Sequence, residues 1–298
     1  MKINIFALAL ASLAVMLGSY SEGQAQFKGK KRKNGYNSRK PLDNPFLKSQ
    51  WWLGFRAGAN LTEADPQERY SGFSPINYTT EENQKEYGGF EQLGGHAGLE
   101  ITYYHKGFSF SFQPNYRRQR FLYSNSFLWS DENDASNRLE LNYDQDHQLD
   151  YIEFPLFVKY DFTQNTFRPF VQVGVYYAIL TSANKSVEVS GADFASGDLG
   201  PFENEEVIIG AEDLFINSSI GVAGGIGASY DVQNTRLVFD VTYRYGLNNV
   251  TDVQNRFSEN QLAGIGDALD DIHLRNISFT FGLLFPLRFI SKKYDAIN

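Results

Sequence analysis

The chain of 298 residues contains no cysteine, so neither a disulfide nor a thiolate metal site can hold it together. Only four histidines are present, which leaves little material for imidazole-based catalysis. Beyond residue 25 no apolar run approaches the ~18 residues that mark a membrane-spanning helix. Mean hydropathy is polar at −0.39, and the two features together exclude an α-helical membrane protein. A β-barrel stays allowed, because its strands are only half apolar. What the chain has in quantity is 25 Phe, 18 Tyr and 26 Gly, a composition that favours strands over helices.

The N-terminus reads Met1-Lys2, an apolar run from Ile3 to Gly18, and then Gly23-Gln24-Ala25. This is the charged, apolar and small-residue order of an export leader, with cleavage expected after Ala25. A signal anchor is the alternative, although the run falls short of the roughly 20 residues a span needs. With no cysteine at the cleavage site, a lipoprotein is excluded. Residues 26–50 carry Lys28, Lys30, Lys31, Arg32, Lys33, Arg39, Lys40 and Lys48 against Asp43, a net +7. Since Lys2 and Glu22 cancel, the chain total of −8 leaves −15 on residues 51–298. The basic stretch has no apolar period and reads as a flexible periplasmic arm. Anionic lipid head groups, an acidic protein or peptidoglycan are its expected contacts; a plain disordered leader is the other reading. Nucleic acid is not expected, because the leader sends the chain away from it.

From residue 51 onward the sequence has a period of two. Ile277, Phe279, Phe281, Leu283, Phe285, Leu287 and Phe289 occupy seven consecutive odd positions, opposite Ser278, Thr280, Gly282 and Arg288. The same alternation recurs around Trp51–Leu61, Leu93–Tyr103, Phe108–Arg117, Tyr151–Asp161, Val171–Ile179, Ile216–Val232 (weakest, blurred by glycine) and Leu237–Leu247. Connections alternate between short ones, such as His105 to Gly107, and long ones near 63–92, 120–148, 182–213 and 249–273. The prediction is an all-β, eight-stranded antiparallel up-and-down transmembrane β-barrel over 51–289. Four long extracellular loops and a short periplasmic tail at 290–298 complete it. A secreted soluble β-protein is the alternative, but loops of roughly 25 to 30 residues are long for a sandwich.

Three stretches carry a family resemblance: Gly54-Phe55-Arg56-Ala57-Gly58-Ala59-Asn60-Leu61, Tyr151-Ile152-Glu153-Phe154-Pro155-Leu156-Phe157-Val158-Lys159-Tyr160, and Arg168-Pro169-Phe170-Val171-Gln172-Val173-Gly174. They resemble the PorT-type outer-membrane β-barrel family of Bacteroidota, across nearly all of residues 51–289. The resemblance implies an OmpA/OmpX-like eight-stranded barrel in the outer membrane of a Gram-negative cell. It also implies kinship with a component needed for type IX secretion and with barrels of other roles.

The strand pattern places Arg56, Glu100, Arg117, Glu153, Lys159, Asp240, Arg244 and Arg288 on the inward face. An eight-stranded lumen is narrow enough for side chains to fill, so these charges are expected to pair and plug it; a proton or ligand path is the alternative. Glu153 with Arg56 or Lys159 is one arrangement the strand pattern permits. No catalytic constellation appears: Asp144-Gln145-Asp146-His147 is the nearest to a rim hydrolase, and it reads more simply as a solvated acidic loop. Acidic clusters at 131–134, 144–146, 203–206 and 267–271 match no defined calcium loop, so no metal and no cofactor is expected. The expected function is contact, as an accessory subunit of an outer-membrane secretion or assembly complex or as a surface binding protein. Outer-membrane lipids, lipopolysaccharide and other envelope proteins are its expected partners. A narrow pore or ligand channel is the second reading.

Overall fold

A computed structural model of the protein describes residues 49–70, 85–131, 134, 136–195, 200–204, 206–232, 234–256 and 268–287. The expected leader, the seven arm residues Lys28 to Lys40, the tail and Arg288 lie outside these residues. Among the described residues thirteen strands are formed, all antiparallel: β1 (Ser49–Glu68), β2 (Glu86–Tyr87), β3 (Gln92–His105), β4 (Phe108–Phe112), β5 (Asn115–Ser130), β6 (Arg138–Glu153) and β7 (Leu156–Asp161). The rest are β8 (Phe167–Asp193), β9 (Gly200–Glu203), β10 (Val207–Gly210), β11 (Ser218–Val232), β12 (Thr235–Gly246) and β13 (Asp271–Pro286).

The difference from the expected count has two causes. Pro114 separates β4 from β5 and Pro155 separates β6 from β7, because proline has no N–H to give the ladder. Hydrogen bonds step over each gap: Leu99 N donates to Pro114 O at 2.9 Å, and Gln113 N to Pro155 O at 3.0 Å. The short β2, β9 and β10 lie inside segments expected as loops. The ladder itself closes. It passes from β1 to β3, to β4 and β5, to β7 and β6, to β8, β11, β12 and β13, and back to β1. Closure removes the free edges that an open sheet would expose.

Side chains alternate across this wall as the pleat requires. Phe55, Phe110, Val173 and Phe281 are exposed on the outside, Phe55 by 66%, while Arg56, Glu100, Arg117 and Glu153 are buried inside. A continuous apolar belt with a charged interior is stable in lipid and costly in water.

Several strands, β1, β5, β6, β8 and β13 among them, run beyond that belt. β8 alone has 27 residues, about 90 Å at ~3.3 Å per residue, against the ~9 to 11 residues a tilted span needs. The segments expected as loops at 120–148 and 182–213 are therefore largely sheet, built from β5, β6 and β8 with β9 and β10 at the side. The belt ends where the outward face changes character. Above Tyr116, Ile152 and Ile179 the next outward residues are Arg118 and Asp150, paired at 2.8 Å, then Arg120 and Asp146. One irregularity marks this boundary: Tyr151 pairs with Leu180 and Asp150 with Ser182, leaving Thr181 as an extra residue. The bulge reverses the facing of β8, so Tyr176 and Ala178 point inward below it, and Ala183, Lys185 and Val187 above it.

Candidate functional site

The lumen holds two tiers of ion pairs. In the first, Glu100 accepts from Lys159 Nζ at 2.6 Å, Thr102 Oγ1 at 2.7 Å and Ser111 Oγ at 2.9 Å, with Arg56 Nη1 at 3.3 Å. Arg56 also bonds Asp240, whose Oδ1 accepts from Thr242 at 3.0 Å and Gln172 Nε2 at 3.2 Å. In the second tier Glu153 Oε2 accepts from Arg117 Nε and Arg244 Nη1, each at 2.8 Å. Arg117 Nη1 then reaches Ser278 Oγ at 2.9 Å and Asn276 Oδ1 at 3.2 Å. Seven of the eight inward charges read from the sequence thus meet in two groups, and the eighth, Arg288, lies outside the described residues.

The partners differ from the arrangement entertained for Glu153. Arg56 and Lys159 go to Glu100, because Gly54 stands opposite Glu100 and Arg56 falls on its diagonal. Asn115 stands opposite Glu153, which brings Arg117 to that carboxylate instead. Desolvating an ion costs several kcal/mol, so a carboxylate shared by two guanidinia holds both in place. Gly58 makes room nearby: a Cβ there would come within 2.8 Å of His96 Cε1. His96 uses that space to meet Thr280 Oγ1 through Nε2 at 3.0 Å.

Both ends of the lumen are filled. At the short-turn end Arg236 lies 4.2 Å over the Trp52 ring and bonds Asp231 Oδ1 through Nε at 2.6 Å, beside Tyr104 and Phe170. At the long-loop end Phe121, Tyr123 and Leu149 pack with Leu214, Phe215, Val250, Leu269 and Ile272 into an apolar core over the mouth. Fixed within it, Lys85 Nζ donates to Asp270 Oδ1 and Tyr70 O, both at 2.8 Å, while Tyr87 OH reaches Asp270 Oδ2 at 2.8 Å. Burial, followed by the Asp270 charge, pushes the Tyr87 hydroxyl well above its ordinary pKa. Sequence reasoning missed Lys85 and Asp270, which stand 185 positions apart; the only hint was the acidic run ending at Asp271.

The histidines expected in long loops sit in strands, His147 in β6 and His273 in β13. Asp146 and His147 cannot act together, since neighbouring strand residues face opposite ways. Asp146 points outward to Arg120, whereas His147 is buried, stacked 4.9 Å from Phe121 and 5.5 Å from Tyr123. Burial, with Lys185 and Lys85 nearby, holds the His147 imidazole well below its ordinary pKa. The acidic cluster at 267–271 is likewise engaged where described: Asp270 by Lys85 and Asp271 by Arg256. Among the described residues no group of carboxylates and histidines could hold a metal ion.

A family model described as outer membrane protein beta-barrel domain matches residues 24–252. None of the curated proteins compared matches the chain. Among solved structures, Neisserial surface protein A is 13% identical, covering 80% of this chain and 97% of its own, with a TM-score of 0.34. The outer membrane protein OprG from Pseudomonas aeruginosa is 12% identical, covering 80% and 96%, at 0.36. The outer membrane protease OmpT from Escherichia coli is 12% identical, covering 80% and 95%, at 0.33. With the closed ladder, the lipid-suited belt and a match over most of its length, the chain belongs to the outer membrane protein beta-barrel domain family.

Proposed function

We propose that this barrel is not an enzyme and not a pore, and that it works by contact at its long-loop end. It serves either as an accessory subunit of an outer-membrane secretion or assembly complex or as a surface binding protein. The observation that carries this reading is the filled lumen: two tiers of ion pairs, an Arg236–Trp52 plug below and an apolar core above. A barrel blocked in this way offers its outer surfaces, not its interior. Beyond the ion-paired rim, Leu128, Trp129, Val207, Ile208 and Val253 are exposed, Ile208 by 70%, at a level where water and not lipid would meet them. Apolar residues in that position suit a protein partner.

In this reading the long-loop end is extracellular, residues 1–25 are an export leader, and the arm from Lys28 to Lys40 touches lipid or a partner in the periplasm. The PorT-type resemblance, which takes in a secretion component and barrels of other roles, is compatible with either setting. The test is purification of a C-terminally tagged full chain from its own outer membranes in mild detergent, with identification of what co-purifies. A stoichiometric protein partner supports the accessory role, and a lone barrel favours surface binding. Reproducible conductance steps from the purified chain in planar bilayers would overturn the contact reading in favour of a channel.

A further inference from the structure

The two ion-pair tiers do not balance. Among the described lumen residues, Arg56, Arg117, Lys159 and Arg244 supply four positive charges, and Glu100, Glu153 and Asp240 supply three negative ones. Extending the count to the short-turn end changes nothing, because Arg168 and Arg236 are matched by Asp231 and Asp161. One positive charge is therefore left over among the seven residues of the two tiers, all of them buried. A buried surplus of this kind costs several kcal/mol unless something offsets it.

The surplus has a location. Between the tiers lies a cavity of about 10 Å³, walled by Arg56, Arg117, Arg244, His96, Asn115 and Asp240. Three guanidinium groups and an imidazole converge on it, while the one carboxylate on the wall already accepts from Arg56, Gln172 and Thr242. Three buried guanidinium N–H groups of these wall residues, Arg56 Nη1, Arg117 Nη2 and Arg244 Nε, have no hydrogen-bond partner, and His96 Nδ1 has none either; of the three only Arg56 Nη1 has a carboxylate close by, Glu100 Oε2 at 3.3 Å. Unmade hydrogen bonds by charged, buried donors are among the most costly in a protein. The space is that of about one water-sized particle.

The geometry points to a binding site for one small monovalent anion of the halide class, held between Arg117 and Arg244. Such an ion offsets the surplus charge of the two tiers and accepts from the unpartnered donors of Arg117 and Arg244; a neutral water could accept from them but would leave the charge uncompensated. A carboxylate-bearing or phosphate ligand is too large for the cavity. His96 lines the same site with an N–H or a lone pair according to its tautomer, and Asn115 closes the wall towards the break between β4 and β5. The anion completes the plug from within, so this barrel is held shut partly by an ion taken from the medium.

Crystals of the full chain soaked in sodium bromide test the assignment directly. The expected result is an anomalous peak within hydrogen-bond reach of Arg117 Nη2 and Arg244 Nε. Bromide found only on the outer surface, or a water with no anomalous signal in the cavity, would overturn it. In solution, the detergent-solubilised chain should unfold at a temperature a few degrees higher in sodium chloride than in sodium gluconate at equal ionic strength, since gluconate cannot enter. Equal unfolding temperatures in the two salts would also overturn it. Arg244→Gln removes the surplus charge and should abolish both the peak and the salt difference; a peak retained in that variant rejects the charge argument. Should the variant fail to fold, the two measurements on the unaltered chain decide.

Discussion

The same strands are built inside out on either side of one boundary. Below Asp150 the outward residues are apolar, such as Val173 and Ile152, and the inward ones are ion-paired, such as Glu153 and Arg117. Above it the outward residues are ion-paired, as in Arg120 with Asp146, and the inward ones are Phe121, Tyr123 and Leu149. The backbone ladder of β5 with β6 continues across the boundary without interruption. What changes is the surrounding solvent, lipid below and water above, and the side chains sort accordingly. β8 makes the crossing with a bulge at Thr181, whose hydroxyl donates to Asp150 O at 2.8 Å.

The comparison breaks most severely at the shared carboxylate. Glu153→Ala leaves Arg117 and Arg244 buried without their common partner and should cost about 3 to 5 kcal/mol, read as a lowered unfolding temperature in detergent. A pair of outward substitutions sharpens it. Val173→Arg places a charge in the apolar belt and should cost about 2 to 4 kcal/mol, whereas Ser124→Arg above the boundary should stay within about 0.5 kcal/mol of the parent. Equal costs for the two would mean that the boundary is misplaced. The smallest effect concerns pH. His147 is kept neutral in the folded extension by burial first and by Lys185 and Lys85 second. The unfolded segment takes up a proton near pH 6.5 that the folded one refuses, so stability falls as the pH drops below about 6.5. Limited proteolysis of the extension should accelerate in that range, and His147→Phe should flatten the dependence.

The strand pattern was legible because the outward apolar set repeats every second residue, clearest from Ile277 to Phe285. The same rule pointed to Arg56, Glu100, Arg117, Glu153, Lys159, Asp240 and Arg244, which are buried in the structure. It could not name their partners, since which strand position stands opposite which is set by ladder register, and a diagonal such as Arg56 to Glu100 leaves no trace in either segment alone. The extension was read as loop for a related reason. Above the boundary the inward and outward chemistries exchange places, and at Thr181 the parity itself reverses, so the alternation from Val171 to Ile179 looks as though it has ended. Lys85 with Asp270 was beyond reach because two loops 185 positions apart supply them.

The seam between β1 and β13 carries a consequence for assembly. Trp52 stands against Pro286 and the rungs continue to Glu68 against Asp271, joining the first strand of the ring to the last. No part of this seam can form until residues 271–286 have been made and delivered, so every earlier species has two raw edges, on β1 and on β12. Closure of a loop that long is slow, yet once zipped it leaves no end from which the wall can peel. The barrel is thus a latch engaged by its last segment, and a chain cut before residue 271 should remain an unfinished sheet.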